Sequence, residues 1–512
     1  MAPNRPQVSF QNKAFATVLS DPRELEAALV SIYSLNYASK TDIIVLLASV
    51  QFGSSHIDQL EKVGAKVIKT NDTADKAATN LWALFDYQNI IYFTPDVVFE
   101  KKVDELLALP VGAADKDVSI LVLEPNPRTF TMLSRNPSSS FVAMLRQASL
   151  IDDKQSLTTL DEIALVYRGP MKPWNFHAYN DSDWKKHYDP VAFYKWRRIQ
   201  QNVQHLLRLD DDWNNKARQR TICDNYLDTT TNITHFPVQD QFSVMISTYN
   251  PERIQHLSLI IRHLLKSEKV HTVFVTWHNP HLDVPRSLFQ KIRKVDYSRV
   301  KVLKQSFDSL NNRFNPSSEL QTDSVYIMDD DIYVDINDLE FTFAAWQSYK
   351  DSVVGHFPRM HTYDPETELA TYKVVGNAPY SIILTKSMFI RSDYLFSYTC
   401  LLEPQLHASV DSQLNCEDLG FAMMASGLSG APPTVVRTAK SMEDFGLRKG
   451  ISTNAAHMPA RSQCISDFIS DYWHKVDPLK SSYISIAPFT RPRIRTGNWS
   501  RIEKTIMSQK KR

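Results

Sequence analysis

The feature that most constrains this chain is a strand-sized apolar run closed by three carboxylates: Ser324-Val325-Tyr326-Ile327-Met328, then Asp329-Asp330-Asp331. β-branched and aromatic residues behind turn-forming ones predict a short buried strand. A solvated acidic run has no reason to follow a buried strand, so the acids belong at its C-terminal tip, where open α/β sheets place their ligands. Oxygen ligands gathered there suit a hard divalent ion, Mn²⁺ or Mg²⁺, bridging to a diphosphate. For an isolated triplet an acidic turn is the commoner explanation. What lies downstream makes that bland reading hard to keep.

At 512 residues the chain calls for about two to four domains. Its composition, 43% hydrophobic and 22% charged with a net charge of +1, is that of a soluble globular protein. That balance leaves no electrostatic footprint for nucleic acid or an anionic membrane. With only 12 glycines, no GxGxxG and no Walker-type sequence, phosphates would have to be held by metal and side chains. No stretch approaches the ~20 apolar residues of a membrane span. Met1-Ala2-Pro3-Asn4-Arg5 opens without a signal-peptide core, which predicts a cytosolic chain or a fragment that has lost its anchor. Cys223, Cys400, Cys416 and Cys464 form no CxxC pair, so no structural zinc is expected. Sequons at Asn71, Asn180, Asn232 and Asn498 are too few to exceed chance.

Two α/β regions flank a polar connector. The first predicts strands at Ala14–Leu19, Ile43–Leu47, Lys66–Ile68 and Ile90–Phe93. A helix begins at Pro22 with Leu25, Leu29, Ile32 and Leu35 on one face. The stretch Asp210–Gln241 lacks periodicity and reads as a linker or irregular segment. The second region repeats the opening grammar: strand Val244–Ile246, N-cap Asn250, Pro251 at the first helical position, then a stripe of Ile254, Leu257, Ile261, Leu264 and Leu265. Another strand, Val273–Val275, leads to Trp277-His278-Asn279. The expected fold class is α/β, with two doubly wound, Rossmann-type domains in tandem, which the family resemblances below imply to be nucleotide-sugar-binding (GT-A-like). The expected boundaries are 1–205, a linker at 206–240, and 241–512.

From about Gln241 to Ile486 the sequence resembles the exostosin-type glycosyltransferases of family 64. The resemblance rests on Thr248-Tyr249-Asn250, Trp277-His278-Asn279, Ser309-Leu310-Asn311-Asn312-Arg313-Phe314 and Asp329-Asp330-Asp331. Further along it rests on Trp346-Gln347-Ser348, Val354-Gly355, Tyr380 to Thr385, Asn415-Cys416-Glu417-Asp418, and the set His457, Arg461, Cys464. It implies transfer of an N-acetylhexosamine from a UDP-sugar, with retention and with Mn²⁺ (or Mg²⁺). In those terms Asp331 is the metal ligand, supported by Asp329 and Asp330. Asn312, Arg313, Asn279 and Arg253 would form the nucleotide pocket, a planar guanidinium suiting phosphate or uracil edges. Asp418 is the expected catalytic carboxylate, with Glu417 able to share the role. Arg461 would neutralise the departing diphosphate and His457 would assist it; alone, His457 would read as a structural histidine. The resemblance also implies a Cys416–Cys464 disulfide, hence an oxidising compartment such as the Golgi or secretory lumen. The missing leader keeps a cytoplasmic location open.

Residues 14 to about 180 resemble the glycogenin-like glycosyltransferases of family 8, through Thr79-Asn80-Leu81-Trp82, Ile90 to Asp96, and Gly169-Pro170-Met171-Lys172-Pro173-Trp174. The departures are at the metal. Thr94 stands where that family has the first Asp of Asp-x-Asp, Val166 where it has a His, and Asn80 where a Lys is usual. One remaining carboxylate, Asp96, holds a divalent ion weakly. The expectation is therefore an inactive first domain beside a working second one. The partners implied are a UDP-sugar, a glycan or glycolipid acceptor, and a second glycosyltransferase or another copy in an oligomer. A non-catalytic subunit role and a carbohydrate-binding role through Trp174 are the alternatives.

Overall fold

The computed structural model describes residues 12–488 apart from 71, 73, 102, 136–139, 152–162, 210–212, 231–232 and 446–456. The sequons at Asn71, Asn232 and Asn498 lie outside the described residues. Two open sheets organise the chain. In the first the strand order is Lys66–Lys69, Asp42–Leu47, Lys13–Leu19, Asn89–Phe93, Ile120–Leu123; the first four are parallel and the last antiparallel. The predicted helix is present with a modified start. Asp21 and Glu24 form a reciprocal capping box around a 3₁₀ turn, Pro22–Glu24, and the α-helix runs Leu25–Ala38 with Leu29, Ile32 and Leu35 buried.

The second sheet has eight strands, in the order Val300–Lys304, Val270–Trp277, Phe242–Thr248, Ser324–Asp329, Ser387–Arg391, Val354–Gly355, Thr434–Val436, Ser485–Ile486. The first four are parallel. The chain starts at Phe242–Thr248, builds outward to one side, then crosses to lay Ser324–Asp329 on the other. That reversal makes the cleft above these two strands the topological switch point. Asn250 caps the next turn by accepting from the Glu252 amide at 2.8 Å, and Pro251 occupies its first position. Ile254, Leu257, Ile261 and Leu264 then pack beneath.

Alternate residues of Ser324–Asp329 serve different cores. Tyr326 and Met328 join a core confined to the second region. Val325 and Ile327 belong to a core that also contains Phe15, Ile32 and Val45 of the first. The connector corrects the sequence reading. Instead of an irregular linker it carries a 17-residue helix, Trp213–Thr229. Cys223 on that helix is bonded to Cys400, and Gln219 donates to the Thr399 carbonyl. The helix is polar on most of its surface and its buried stripe is short, Gln219, Cys223 and Tyr226 with Leu227 beside them; the disulfide, hydrogen bonds and the Tyr226–Phe396 contact at 5.7 Å anchor it.

Candidate functional site

Parallel strands bring their C-terminal tips to one edge. Thr248 is in register with Trp277, and Asp329 with Ser247. The carboxylate triplet, Arg253 and the His278-Asn279 loop therefore meet above the switch point. Asp330 is buried, with Thr248 donating to one oxygen at 2.7 Å and Arg253 Nη1 to the other at 2.8 Å. The same Nη1 reaches Asp331 at 3.0 Å. Asp331 Oδ1 is buried with no hydrogen-bond partner. Burial, then the neighbouring Asp329 and Asp330, push its carboxyl up to about 6. Lys386, which faces this charge, is itself held by Asp444 at 2.7 Å.

The second half of the site sits at the start of the helix Glu417–Ser429. Leu414 and Cys416 both adopt left-handed backbone, with φ of 45° and 76°, to turn the chain sharply out of the preceding helix. Cys416 is bonded to Cys464 on the helix His457–Tyr472, the same helix that carries His457 and Arg461. Arg461 donates to Asp418 Oδ2 at 2.6 Å and to Asn415 at 3.1 Å, and lies over the Tyr372 ring at 4.5 Å. Asp418 Oδ1 is buried without a partner. Asn415 also meets His457 at 3.3 Å. Glu417 is buried, and that burial raises its carboxyl into the neutral range despite the Arg313 charge.

Arg313 joins the halves. Its Nη1 donates to Asp329 at 3.3 Å and to Thr385 at 2.5 Å, and its Nε lies 3.6 Å from Glu417. The structure thus gathers Arg253, Asp329, Asp330, Asp331, Arg313, Glu417, Asp418, Arg461 and His457. The two asparagines expected in a nucleotide pocket build loops. Asn279 accepts from the His281 and Leu282 amides at 3.0 and 3.1 Å, and Asn312 donates to the Phe307 carbonyl at 2.8 Å. Arg461, expected on a leaving diphosphate, has both Nη groups engaged with Asp418 and Asn415. Sequence reasoning overlooked Thr248, Thr385, Asn415 and Tyr372 as individuals, although the first three lie within the motifs it used. Tyr372 comes from a hairpin far away in sequence, and no local signal marks it.

In the first region, Asp96 is paired with Lys172 at 2.9 Å, and Lys172 also donates to the Tyr167 carbonyl at 2.5 Å. Val166 is paired in a short ladder with Val97.

Residues 242–490 match the glycosyl transferase family 64 domain. Among curated proteins, the chain is similar to glycosyltransferase family protein 64 C3 of Arabidopsis thaliana, 33% identical over 48% of this chain and 79% of that protein. Human exostosin-2 is 28% identical over 48% of this chain, and the match spans only 35% of exostosin-2. Glycosylinositol phosphorylceramide mannosyl transferase 1 of Arabidopsis is 25% identical over 45% of this chain and 72% of that protein. Among solved structures, the glycosyltransferase GlyE of Streptococcus pneumoniae TIGR4 aligns at 12% identity with a TM-score of 0.29, covering 59% of this chain and 83% of that one.

Proposed function

The chain belongs to glycosyltransferase family 64, and on that premise we propose that its second region transfers an N-acetylhexosamine from a UDP-sugar to a glycan or glycolipid acceptor, Mn²⁺-dependently and with retention at the anomeric carbon. The supporting observation is the pair of carboxylate–guanidinium centres, Asp330/Asp331 with Arg253 and Asp418 with Arg461, joined through Arg313.

The triplet fits a divalent cation. Asp331 keeps an orphaned buried oxygen, and Asp329–Asp331 together outweigh Arg253. Among the described residues no group of three His, Cys, Asp or Glu side chains is placed to hold a metal alone. An ion at the triplet would therefore rest on one or two of its carboxylates and be completed by substrate phosphates. When bound it would supply charge neutralisation to the diphosphate. Arg253, partly exposed beside the triplet and paired with Asp330 and Asp331, would turn to the donor's phosphate or ribose oxygens. Arg461 clamps one oxygen of Asp418 and leaves the other open. A carboxylate oriented in this way can stabilise positive charge developing at the sugar carbon. Glu417, raised toward neutrality, can donate a hydrogen bond as well as accept one. Two disulfides, Cys223–Cys400 and Cys416–Cys464, support maturation in an oxidising secretory lumen. Among the described residues no helix is long and apolar enough to cross a membrane.

The decisive assay is donor hydrolysis by purified protein with a panel of UDP-GlcNAc, UDP-GalNAc, other UDP-hexoses and GDP-mannose, with Mn²⁺ or EDTA, reading released nucleotide. GDP-mannose is included because one relative is named a mannosyl transferase. Release from a UDP-N-acetylhexosamine that EDTA abolishes supports the reading. Preference for another donor corrects it, and no turnover with any donor favours a non-catalytic subunit.

A further inference from the structure

The first sheet has its own open cleft at its own switch point, between the tips Val18–Asp21 and Tyr92–Asp96, with a volume of about 590 Å³. We propose that this cleft is a metal-independent binding site for a neutral oligosaccharide.

Charge decides what can enter. The described lining carries three acids, Asp21, Glu24 and Asp96, against one cation, Arg23. Arg23 holds Asp21 at 2.9 Å, and Lys172, just behind the lining, holds Asp96 at 2.9 Å. A diphosphate would face net negative charge, with Arg23 the one cation in the described lining. A divalent ion would have to displace the Lys172 ammonium, with Thr94 and Val166 offering no second carboxylate or imidazole. Both routes to a nucleotide-sugar are disfavoured.

The remaining chemistry suits a sugar. Trp174 is half-buried on the wall, its ring braced by Trp196 at 5.4 Å. The same lining holds Tyr92 and Phe141, an edge-to-face pair at 5.2 Å. A braced aromatic face receives the apolar C–H face of a pyranose, while carboxylate oxygens accept its hydroxyls without requiring a charged ligand. The volume accommodates two or three sugar units on the scale of ordinary ligand pockets. The inference stands apart from the transferase reading, because it concerns other residues and is read by binding.

The test uses the full chain in EDTA with maltotriose, cellotriose and chitotriose as probes, observed by saturation-transfer NMR and titration calorimetry, and UDP with Mn²⁺ in a second arm. At least one trisaccharide should bind in EDTA. Trp174→Ala should weaken it tenfold or more while UDP–Mn²⁺ binding stays unchanged. Because Trp174→Ala could loosen the Trp196 contact, Ser20→Tyr, which fills the cleft mouth from a half-buried position, should give the same loss at an unchanged melting temperature. The proposal falls if none of the three sugars binds, if binding survives both substitutions, or if Asp96→Asn removes a UDP–Mn²⁺ binding event.

Discussion

Asp331 and Asp418 carry the same chemical group in different surroundings, and the consequences can be measured separately. Asp331→Ala should abolish Mn²⁺-dependent UDP binding in calorimetry while leaving the circular dichroism spectrum intact, since a strand-tip acid contributes little to the core. The raised Asp331 carboxyl also makes a claim about stability without metal. Its folded value, about 6, lies above the ordinary 3.8. The protonated group therefore stabilises the fold fully below pH 4, and that contribution is lost as pH rises through 6. In EDTA, Asp331→Asn should accordingly be more stable than the parent above pH 6, by about 1–2 kcal/mol, and the gain should vanish below pH 4. A denaturation series showing the gain at low pH instead would reverse the sign of the argument. Asp418→Asn should lower turnover by two or more orders of magnitude, on the scale of ~3–5 kcal/mol of lost transition-state stabilisation, whereas Asp96→Ala should leave it unchanged. The opposite pattern in a kinetic comparison would place the working site in the first sheet.

At the scale of elements, two disulfides do different work. Cys416–Cys464 ties the left-handed turn before Asp418 to the helix bearing Arg461, over a separation of 48 residues. Cys223–Cys400 staples the connector helix to the second region over 177 residues. The chain-entropy account assigns them about 4 and 5 kcal/mol. Replacing either pair by serine should lower the melting temperature. Only the Cys416/Cys464 replacement should also lower kcat by more than tenfold, because it frees the segment that orients Asp418. Equal kinetic damage from both pairs would mean that the connector also orders the catalytic turn. A second contact is steric. A Cβ on Gly427 would lie 2.1 Å from the His177 carbonyl oxygen, where Asn180 also donates to the Gly427 carbonyl at 2.6 Å. Gly427→Ala should therefore cost a few kcal/mol in urea unfolding, although alanine is the better helix former.

The whole molecule does not divide where the composition changes. One apolar core runs from Phe15 and Val45 through Phe176, Trp184 and Trp196 to Leu395, Phe421 and Trp473. Arg197 is buried against Glu403 at 2.9 Å, and Trp473 donates to the His177 carbonyl at 2.9 Å. Removing residues 1–205 would expose one side of that core and strip Glu403 of its Arg197 partner. The fragment 206–512 should express as aggregate or melt well below the full chain by scanning calorimetry. A soluble fragment with an unchanged transition would show that the second region is self-sufficient.

Local order along the chain determined the strands, the capped turns at Pro22 and Pro251, and the strand-tip position of Asp329–Asp331. Each of these follows from a few neighbouring residues: a β-branched run, a proline at a first helical position, an acid after the last buried residue. The Cys416–Cys464 pairing was legible only through likeness to a family, since four cysteines without spacing rules allow three pairings. Tertiary structure alone decided that Asn279 and Asn312 build loops, that Arg461 serves Asp418, and that the connector is a helix. A hydrogen-bonding side chain takes whichever partner the fold brings within about 3 Å, and that partner lies tens or hundreds of residues away. The connector helix buries a short stripe that mixes Gln219 with Cys223 and Tyr226, so its apolar period is too brief and too polar to read in the sequence.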